Sequence, residues 1–248
     1  MLYMRNIVLT VSYLGTQYSG FQRQKNGISV QELLEKAIFE ATGEQTKVTP
    51  SGRTDAGVHA IGQVVNFLTN STIPASKFYI PLNQVLPQDI RVMSSTEAPL
   101  SFNARKDAKQ KTYMYKAYLG PVLSALEQDR VLHYPKPINM DLVSAACKMV
   151  EGEHDFSAFV STGSSSKTTT RTIYKCRATL ENNYLTFEIT GNGFLYNMVR
   201  ILVGTILEIG QGKRTLDNFK KLLDGGDRKD AGKTAKACGL YLKSVMYK

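Results

Sequence analysis

Strand-like and helix-like hydrophobic patterns alternate along the whole chain. Apolar residues occupy every second position from Ile7 to Tyr13, which is the period of a half-buried strand. A capping-box sequence begins at Ser29, and apolar residues then recur at helical spacing until Gly43. Similar patterns follow in both halves of the chain. They predict an α+β fold of two units, each a sheet covered by helices on one face.

The remaining elements follow from the same periodicities and from turn residues. A segment without clean periodicity, 97–109, predicts a domain junction, so we expect one domain over 1–104 and a second over 105–248. Asn182 and Asn183 predict the turn of a hairpin. The further predicted strands are 47–51, 62–69, 90–95, 111–119, 172–180, 184–190 and 239–247, and the further predicted helices are 74–86 (interrupted at Pro81), one from Asn139 to Gly152, 194–209 and 215–223.

The charge balance points to an anionic partner. Lys and Arg number 31 against 21 Asp and Glu, a net charge of +10. Polyanions release counterions on such a surface, so RNA or DNA is favoured over an anionic membrane, although an unspecialised basic protein has the same composition. The apolar runs are too short for a membrane span, and the N-terminus lacks signal-peptide features, so we expect a cytoplasmic protein without membrane association. The three cysteines are widely spaced, which predicts no structural zinc.

A glycine-bounded loop, 52–60, presents Arg53, Asp55 and His59 between two predicted strands. Asp55 could simply form an Asx turn that joins the strands. Alternatively, the loop presents a lone carboxylate as a nucleophile or base, with Arg53 nearby to meet a phosphate or a nucleic-acid base. These residues alone do not distinguish the two interpretations.

Arg200 lies within a predicted helix that is otherwise apolar. An unpaired buried charge is costly, so its guanidinium should either reach solvent or meet a carboxylate. If Asp55 were that carboxylate, the pair would keep it ionised and oriented.

Tyr113 and Tyr115 stand two residues apart on a predicted strand, with Lys111 nearby. They could be core aromatics on one face of the sheet. They could also form a stacking surface for an unstacked base. His133 and His154 lack the spacing of metal ligands and are interpreted as structural or surface residues.

Several blocks together resemble one family over essentially the whole chain. The loop 52–60 resembles the catalytic loop of the tRNA pseudouridine synthase A family. Blocks at 13–24, 29–31, 82–90, 102–105, 111–115, 152–156, 171–173, 194–204 and 234–242 resemble that family in the same order.

This resemblance implies two ribonucleoprotein-like α/β subdomains with antiparallel or mixed sheets, flanking helices and a central RNA-binding cleft. It implies an isomerase that converts uridine to pseudouridine in the anticodon stem-loop of tRNA, acts as a homodimer and needs no metal or organic cofactor. By the same match, Asp55 is the catalytic nucleophile, Tyr113 packs on the target base and Arg200 pairs with Asp55. The implied RNA contacts are Gln22, Arg23, Arg53, His59, Arg105, Lys111 and Tyr113.

Three positions depart from the family pattern. Leu14, Phe21 and Lys236 stand where the family usually has Asp, Trp and often Pro. None of them is a matched catalytic residue, so we expect altered RNA contacts at most. The alternative function is a catalytically silent protein that binds or folds tRNA.

Overall fold

The computed structural model describes residues 3–164 and 166–247. The described residues do not include Met1, Leu2, Ser165 and Lys248. The predicted domain ranges contain all four, and the prediction of an N-terminus without a signal peptide concerns the first two, so these parts of the predictions lie outside the described residues. The helices and strands, in chain order, are β1 (Arg5–Tyr13), α1 (Val30–Thr42), β2 (Thr49–Pro50), β3 (His59–Thr69), α2 (Tyr79–Val85), β4 (Ile90–Ala98), β5 (Gln110–Tyr118), β6 (Leu132–His133), α3 (Met140–Val150), β7 (Gly152–Asp155), β8 (Thr170–Glu181), β9 (Tyr184–Gly191), α4 (Met198–Gly210), α5 (Leu216–Leu223) and β10 (Leu240–Met246).

The chain divides into two compact units. The first comprises residues 3–109 with 241–247, and the second comprises 110–240. This division differs from the predicted domains, because nearly all of β10 belongs to the first unit. Tyr241 and Leu242 pair in parallel with His59 and Ala60 of β3. Such a pairing joins distant parts of the sequence, and the local pattern of β10 does not encode it.

The first unit contains a mixed sheet in the order β4-β1-β3-β10, with β2 added to β3. β1 is antiparallel to both β3 and β4, and its alternate residues from Ile7 to Val11 are fully buried. α1 packs against α2, which packs against β4. The predicted boundaries of α1 are confirmed, because Ser29 Oγ accepts from the Glu32 N–H and Gly43 ends the helix in the left-handed conformation.

The second unit contains an antiparallel sheet in the order β5-β9-β8-β7, with β6 parallel to β5. α3 packs against β8, α4 and α5. Asn182 and Asn183 have φ angles of 49° and 67°, which confirms the predicted hairpin turn between β8 and β9. The predicted α+β class, with sheets flanked by helices, is therefore confirmed.

Two helix predictions in the second unit need correction. α4 begins at Met198 rather than at 194, because Asn197 adopts a left-handed φ of 62° that ends the irregular segment before it. In α3 the buried face consists of Val143, Ala146, Cys147 and Val150. The chain also leaves α3 at Glu151, one residue before the predicted stop at Gly152.

Pro81 does not interrupt α2, contrary to the prediction. It is the third residue of this helix. The first N–H groups of a helix have no partner within it, so a proline there removes no hydrogen bond.

Candidate active site

The loop with Asp55 connects β2 to β3 through a tight turn. The Val58 N–H donates to the Asp55 carbonyl at 3.1 Å, and Gly57 supplies the positive φ of 76° that the turn requires. Asp55 is half-buried, whereas Arg53 is exposed. The loop thus holds a carboxylate at the edge of the protein interior, next to an accessible guanidinium.

A buried polar network supports the start of this loop. Tyr13 Oη lies 2.7 Å from Thr54 Oγ1. Gln63 accepts from Ser51 Oγ at 2.6 Å and donates from Nε2 to the Gly52 carbonyl at 2.8 Å. Burial raises the pKa of Tyr13 to about 12, so its hydroxyl stays protonated at a pH where an exposed tyrosine would already ionise. The segment before Asp55 is therefore fixed by side chains of β1 and β3.

The segment that follows β1 contacts the loop on both sides of Asp55. The Phe21 N–H donates to the Thr54 carbonyl at 3.0 Å, and the Gly15 N–H donates to His59 Nδ1 at 2.9 Å. Gly20 has a φ of 92° and lies so close to the backbone of the Asp55 loop that an added Cβ would be 2.7 Å from the Thr54 carbonyl oxygen.

His59 is the first residue of β3 and has no exposed surface. Its ring lies 4.7 Å from the Tyr241 ring, centroid to centroid. The direct RNA contact predicted for His59 is not available in this structure, because the side chain is enclosed. The strand that contains His59 begins three residues before the predicted start at 62.

Gln22 and Arg23, predicted RNA contacts, are exposed. The Arg23 backbone N–H donates to Gln31 Oε1 at 3.1 Å, and its guanidinium lies 3.2 Å from the carboxylate of Glu35. Both partners belong to α1. Arg23 is thus accessible while its backbone is anchored to a helix.

The two other cationic RNA contacts predicted from the sequence have different environments. Arg105 is exposed, and its backbone N–H donates to Asn103 Oδ1 at 3.0 Å within a turn. Lys111 is half-buried on β5, opposite Gly191 of β9. Each belongs to a different unit, Arg105 to the first and Lys111 to the second.

Tyr113 and Tyr115 share a face of β5 but differ in environment. Tyr113 retains 9% of its surface and meets Phe194 edge to face, with 5.0 Å between ring centroids. Tyr115 is fully buried, donates from its hydroxyl to the Lys236 carbonyl at 2.8 Å and has a pKa raised by burial. Tyr115 is therefore a core residue, so the rings of Tyr113 and Tyr115 cannot together form a stacking surface for a base.

Arg200 lies in the first turn of α4 with a fixed guanidinium. Its Nε donates to the Ala235 carbonyl at 2.8 Å, and its Nη1 donates to Asn197 Oδ1 at 2.7 Å. Asn197 Nδ2 in turn donates to Ser161 Oγ at 3.0 Å. The predicted pairing of Arg200 with Asp55 stays a prediction.

Sequence reasoning missed Thr54 and Asn197 as residues that orient their neighbours. An Asn directly before an apolar helix is a recognisable start signal, and it could have placed the beginning of α4. Thr54 carries no such signal, because its partner Tyr13 lies far away in the sequence.

The described part of the chain shows neither a cluster of potential metal ligands nor a membrane-spanning helix. Among residues 3–164 and 166–247, no group of three or more His, Cys, Asp and Glu side chains could hold a metal ion. His133 Nε2 and His154 Nε2 lie within 3.0 and 3.1 Å of main-chain carbonyls, as structural histidines do. No helix within these residues has the length and apolar character needed to cross a membrane.

Comparison with known proteins identifies the class of enzyme to which this arrangement belongs. A family model described as tRNA pseudouridine synthase matches residues 9–105 and 146–248. The chain belongs to this family.

Three similar proteins are each named tRNA pseudouridine synthase A. The protein of Clostridium acetobutylicum is 47% identical over 98% of this chain and 100% of its own length. Those of Caldicellulosiruptor bescii and Acetivibrio thermocellus are each 46% identical with the same coverage.

Proposed function

We propose that this protein isomerises uridine to pseudouridine in the anticodon stem-loop of tRNA, with Asp55 as the nucleophile. The observation that carries the proposal is the half-buried Asp55 on a loop fixed at both ends, within a chain of the tRNA pseudouridine synthase family. A loop whose backbone is held at both ends limits how far its carboxylate must move before it reacts.

The atom balance of the reaction fits a single carboxylate. The bond between N1 of uracil and C1′ of ribose breaks, and a bond between C5 and C1′ forms. C5 loses a proton and N1 gains one, so neither electrons nor groups are exchanged with another molecule. We therefore propose that no metal or organic cofactor takes part.

Asp55 can serve this reaction by stabilising C1′ after the glycosidic bond breaks. We propose that Tyr113, whose ring is held edge to face by Phe194, contacts the uracil. Arg200, oriented by the Ala235 carbonyl and Asn197, would keep the Asp55 carboxylate ionised. These roles are the ones implied by the family resemblance.

The target uridine must leave its stack before a protein can reach its sugar, which costs a few kcal/mol. Arg53 is exposed two residues before Asp55, so it is available to replace part of the lost stacking and to meet a phosphate. Gln22, Arg23, Arg105 and Lys111 are proposed as further RNA contacts, and the net charge of +10 favours a polyanionic substrate. His59 is left out of this set because it is buried.

We further propose that the protein is a cytoplasmic homodimer, as the resemblance implies. Sedimentation at micromolar concentration tests the oligomer, and a single species with the mass of one chain would contradict it.

The decisive experiment measures tritium release from tRNA labelled at C5 of uridine. The wild-type protein should release tritium, and Asp55→Asn should reduce release to background while binding tRNA with unchanged affinity. Asp141→Asn is the matched control, because Asp141 is an exposed acid in the first turn of α3. It should release tritium at the wild-type rate.

The alternative, a silent tRNA-binding protein, predicts another result. In that case wild type and Asp55→Asn both bind tRNA and both give background release. Mapping pseudouridine in tRNA from a strain that lacks the gene would then show no missing modification, whereas the proposed enzyme predicts loss within the anticodon stem-loop.

A further inference from the structure

We propose that Thr54 and His59 are positioning residues that together fix the Asp55 carboxylate from both sides. The proposal rests on the proposed function, in which Asp55 reacts with substrate. Neither residue needs to touch RNA for this role, since both are almost or fully enclosed, at 6% and 0% exposure.

Thr54 fixes the side that precedes Asp55. Its hydroxyl lies 2.7 Å from the Tyr13 hydroxyl, and its carbonyl accepts the Phe21 N–H at 3.0 Å. Side chain and main chain of one residue are thus held by two different segments. Rotation of the peptide between Thr54 and Asp55 would break or strain at least one of these hydrogen bonds.

His59 fixes the side that follows Asp55. Its Nδ1 accepts the Gly15 N–H at 2.9 Å, which requires an unprotonated Nδ1. The ring also packs on Tyr241 of β10. The turn from Asp55 to Val58 therefore ends directly at a residue that is held by both a hydrogen bond and an aromatic contact.

Both hydrogen-bonded partners, Gly15 and Phe21, belong to one short segment after β1. Gly20 in this segment approaches the loop backbone more closely than any side chain would allow. The segment therefore acts as a clasp, defined here as residues 15–21, that contacts the loop before and after Asp55. Because a displacement of about 1 Å can cost roughly 100-fold in rate, fixing both ends of the loop should matter for turnover rather than for tRNA affinity.

Thr54→Val tests the first half, because it removes the hydroxyl with little change of shape. We expect kcat for tritium release to fall about 10- to 100-fold while KM changes less than about 3-fold. Thr54→Ser retains the hydroxyl and should restore most of kcat. Thr69→Val is the matched control, since Thr69 is 1% exposed and its hydroxyl donates to Glu44 at 2.7 Å at the far end of β3.

His59→Asn and His59→Leu test the second half. The Asn side chain can place an acceptor oxygen near the position of Nδ1, whereas Leu cannot accept from the Gly15 N–H. We expect kcat to be higher in His59→Asn than in His59→Leu, with similar KM in both. If a His59 variant does not fold, Tyr241→Leu, which removes the ring that packs on His59, tests the same side of the loop and should also lower kcat with little change of KM. Tyr13→Phe likewise perturbs the Thr54 hydrogen bond more gently than Thr54→Val does.

Hydrogen–deuterium exchange of the peptide over 52–58 provides a readout that needs no activity. It should be faster in Thr54→Val and His59→Leu than in wild type, and unchanged in Thr69→Val. Unchanged exchange over 52–58, or a kcat within about 2-fold of wild type in both folded variants, overturns the positioning role.

The two proposals fail in different ways. An inactive wild-type protein refutes the proposed function, and the exchange result still decides whether the clasp fixes the loop. An active wild type whose Asp55→Asn variant is inactive, together with fully active Thr54→Val and His59→Leu variants, refutes the positioning role alone.

Discussion

Replacing Gly20 by Ala should damage both stability and catalysis, because Gly20 lies directly against the loop that carries Asp55. An added Cβ would lie 2.7 Å from the Thr54 carbonyl oxygen and 3.2 Å from both Ala56 N and the Asp55 carbonyl carbon. Ordinary van der Waals contact begins at 3.4 Å, so the closest contact is short by about 0.7 Å. The obstacles are backbone atoms, which cannot turn aside as a flexible side chain can.

Two effects add to the cost of Gly20→Ala. The φ of 92° is unfavourable for any residue with a Cβ, by about 1 to 2 kcal/mol. Crowding of a packed region adds about 1 to 3 kcal/mol. We therefore expect the free energy of unfolding to fall by about 2 to 5 kcal/mol, and kcat to fall at least about 10-fold because the loop must move.

Gly43→Ala is the matched control. Gly43 also has a positive φ, 73°, but an added Cβ would have nothing within 4 Å. It should lose only the conformational part, about 1 kcal/mol, with kcat unchanged. Urea unfolding and single-turnover tritium release measure both quantities, and equal losses of stability in the two variants would refute the close packing inferred at Gly20.

Three further predictions concern other parts of the molecule. Burial raises the pKa of Tyr13 from 10.0 to about 12, so its contribution to stability is complete below about pH 10 and is lost as the pH rises towards 12. Between pH 10 and 12, Tyr13→Phe should therefore lose about 2 kcal/mol less stability than wild type in urea titrations, and parallel curves would contradict this. Tyr115→Phe should lower the free energy of unfolding by about 1 to 2 kcal/mol, because the Lys236 carbonyl loses its donor, and an unchanged midpoint in urea would speak against that bond. The affinity for tRNA should fall steeply with salt, with a slope of log affinity against log salt concentration of roughly one per phosphate contact. Arg23→Gln should reduce this slope by about one, and a flat salt response of the wild type would contradict the electrostatic part of the RNA-binding proposal.

Local signals predicted the structure where the physical cause is local. Ser29 and Gly43 define both ends of α1, and Asn182 with Asn183 defines a hairpin, because capping and positive φ depend on the residues at those positions. The sequence also predicted that Asp55 lies on a loop between two strands, but it did not distinguish an Asx turn from a reactive carboxylate, and the catalytic role stays a prediction.

Local sequence signals could not predict contacts between residues that are far apart in the sequence. The parallel pairing that places Tyr241 beside His59 is one example, and it determines which unit contains β10. The family resemblance implied an RNA contact for His59, but its side chain is fully buried and its ring packs on Tyr241. Tyr113 and Tyr115 alternate identically in sequence, and only the tertiary environment separates the core residue from the partly exposed one.

The three departures from the family pattern illustrate which contacts of a site tolerate sequence change. The Leu14 N–H donates to the Asp89 carbonyl at 2.9 Å, the Phe21 N–H donates to the Thr54 carbonyl, and the Lys236 carbonyl accepts from Tyr115. In each case the position contributes a main-chain group, and that group is present in Asp, Trp or Pro at the respective position as well. The side chains can therefore differ from the family without loss of these hydrogen bonds. The proposed clasp around Asp55 depends instead on side-chain features: the hydroxyl of Thr54, the acceptor Nδ1 of His59 and the missing Cβ of Gly20.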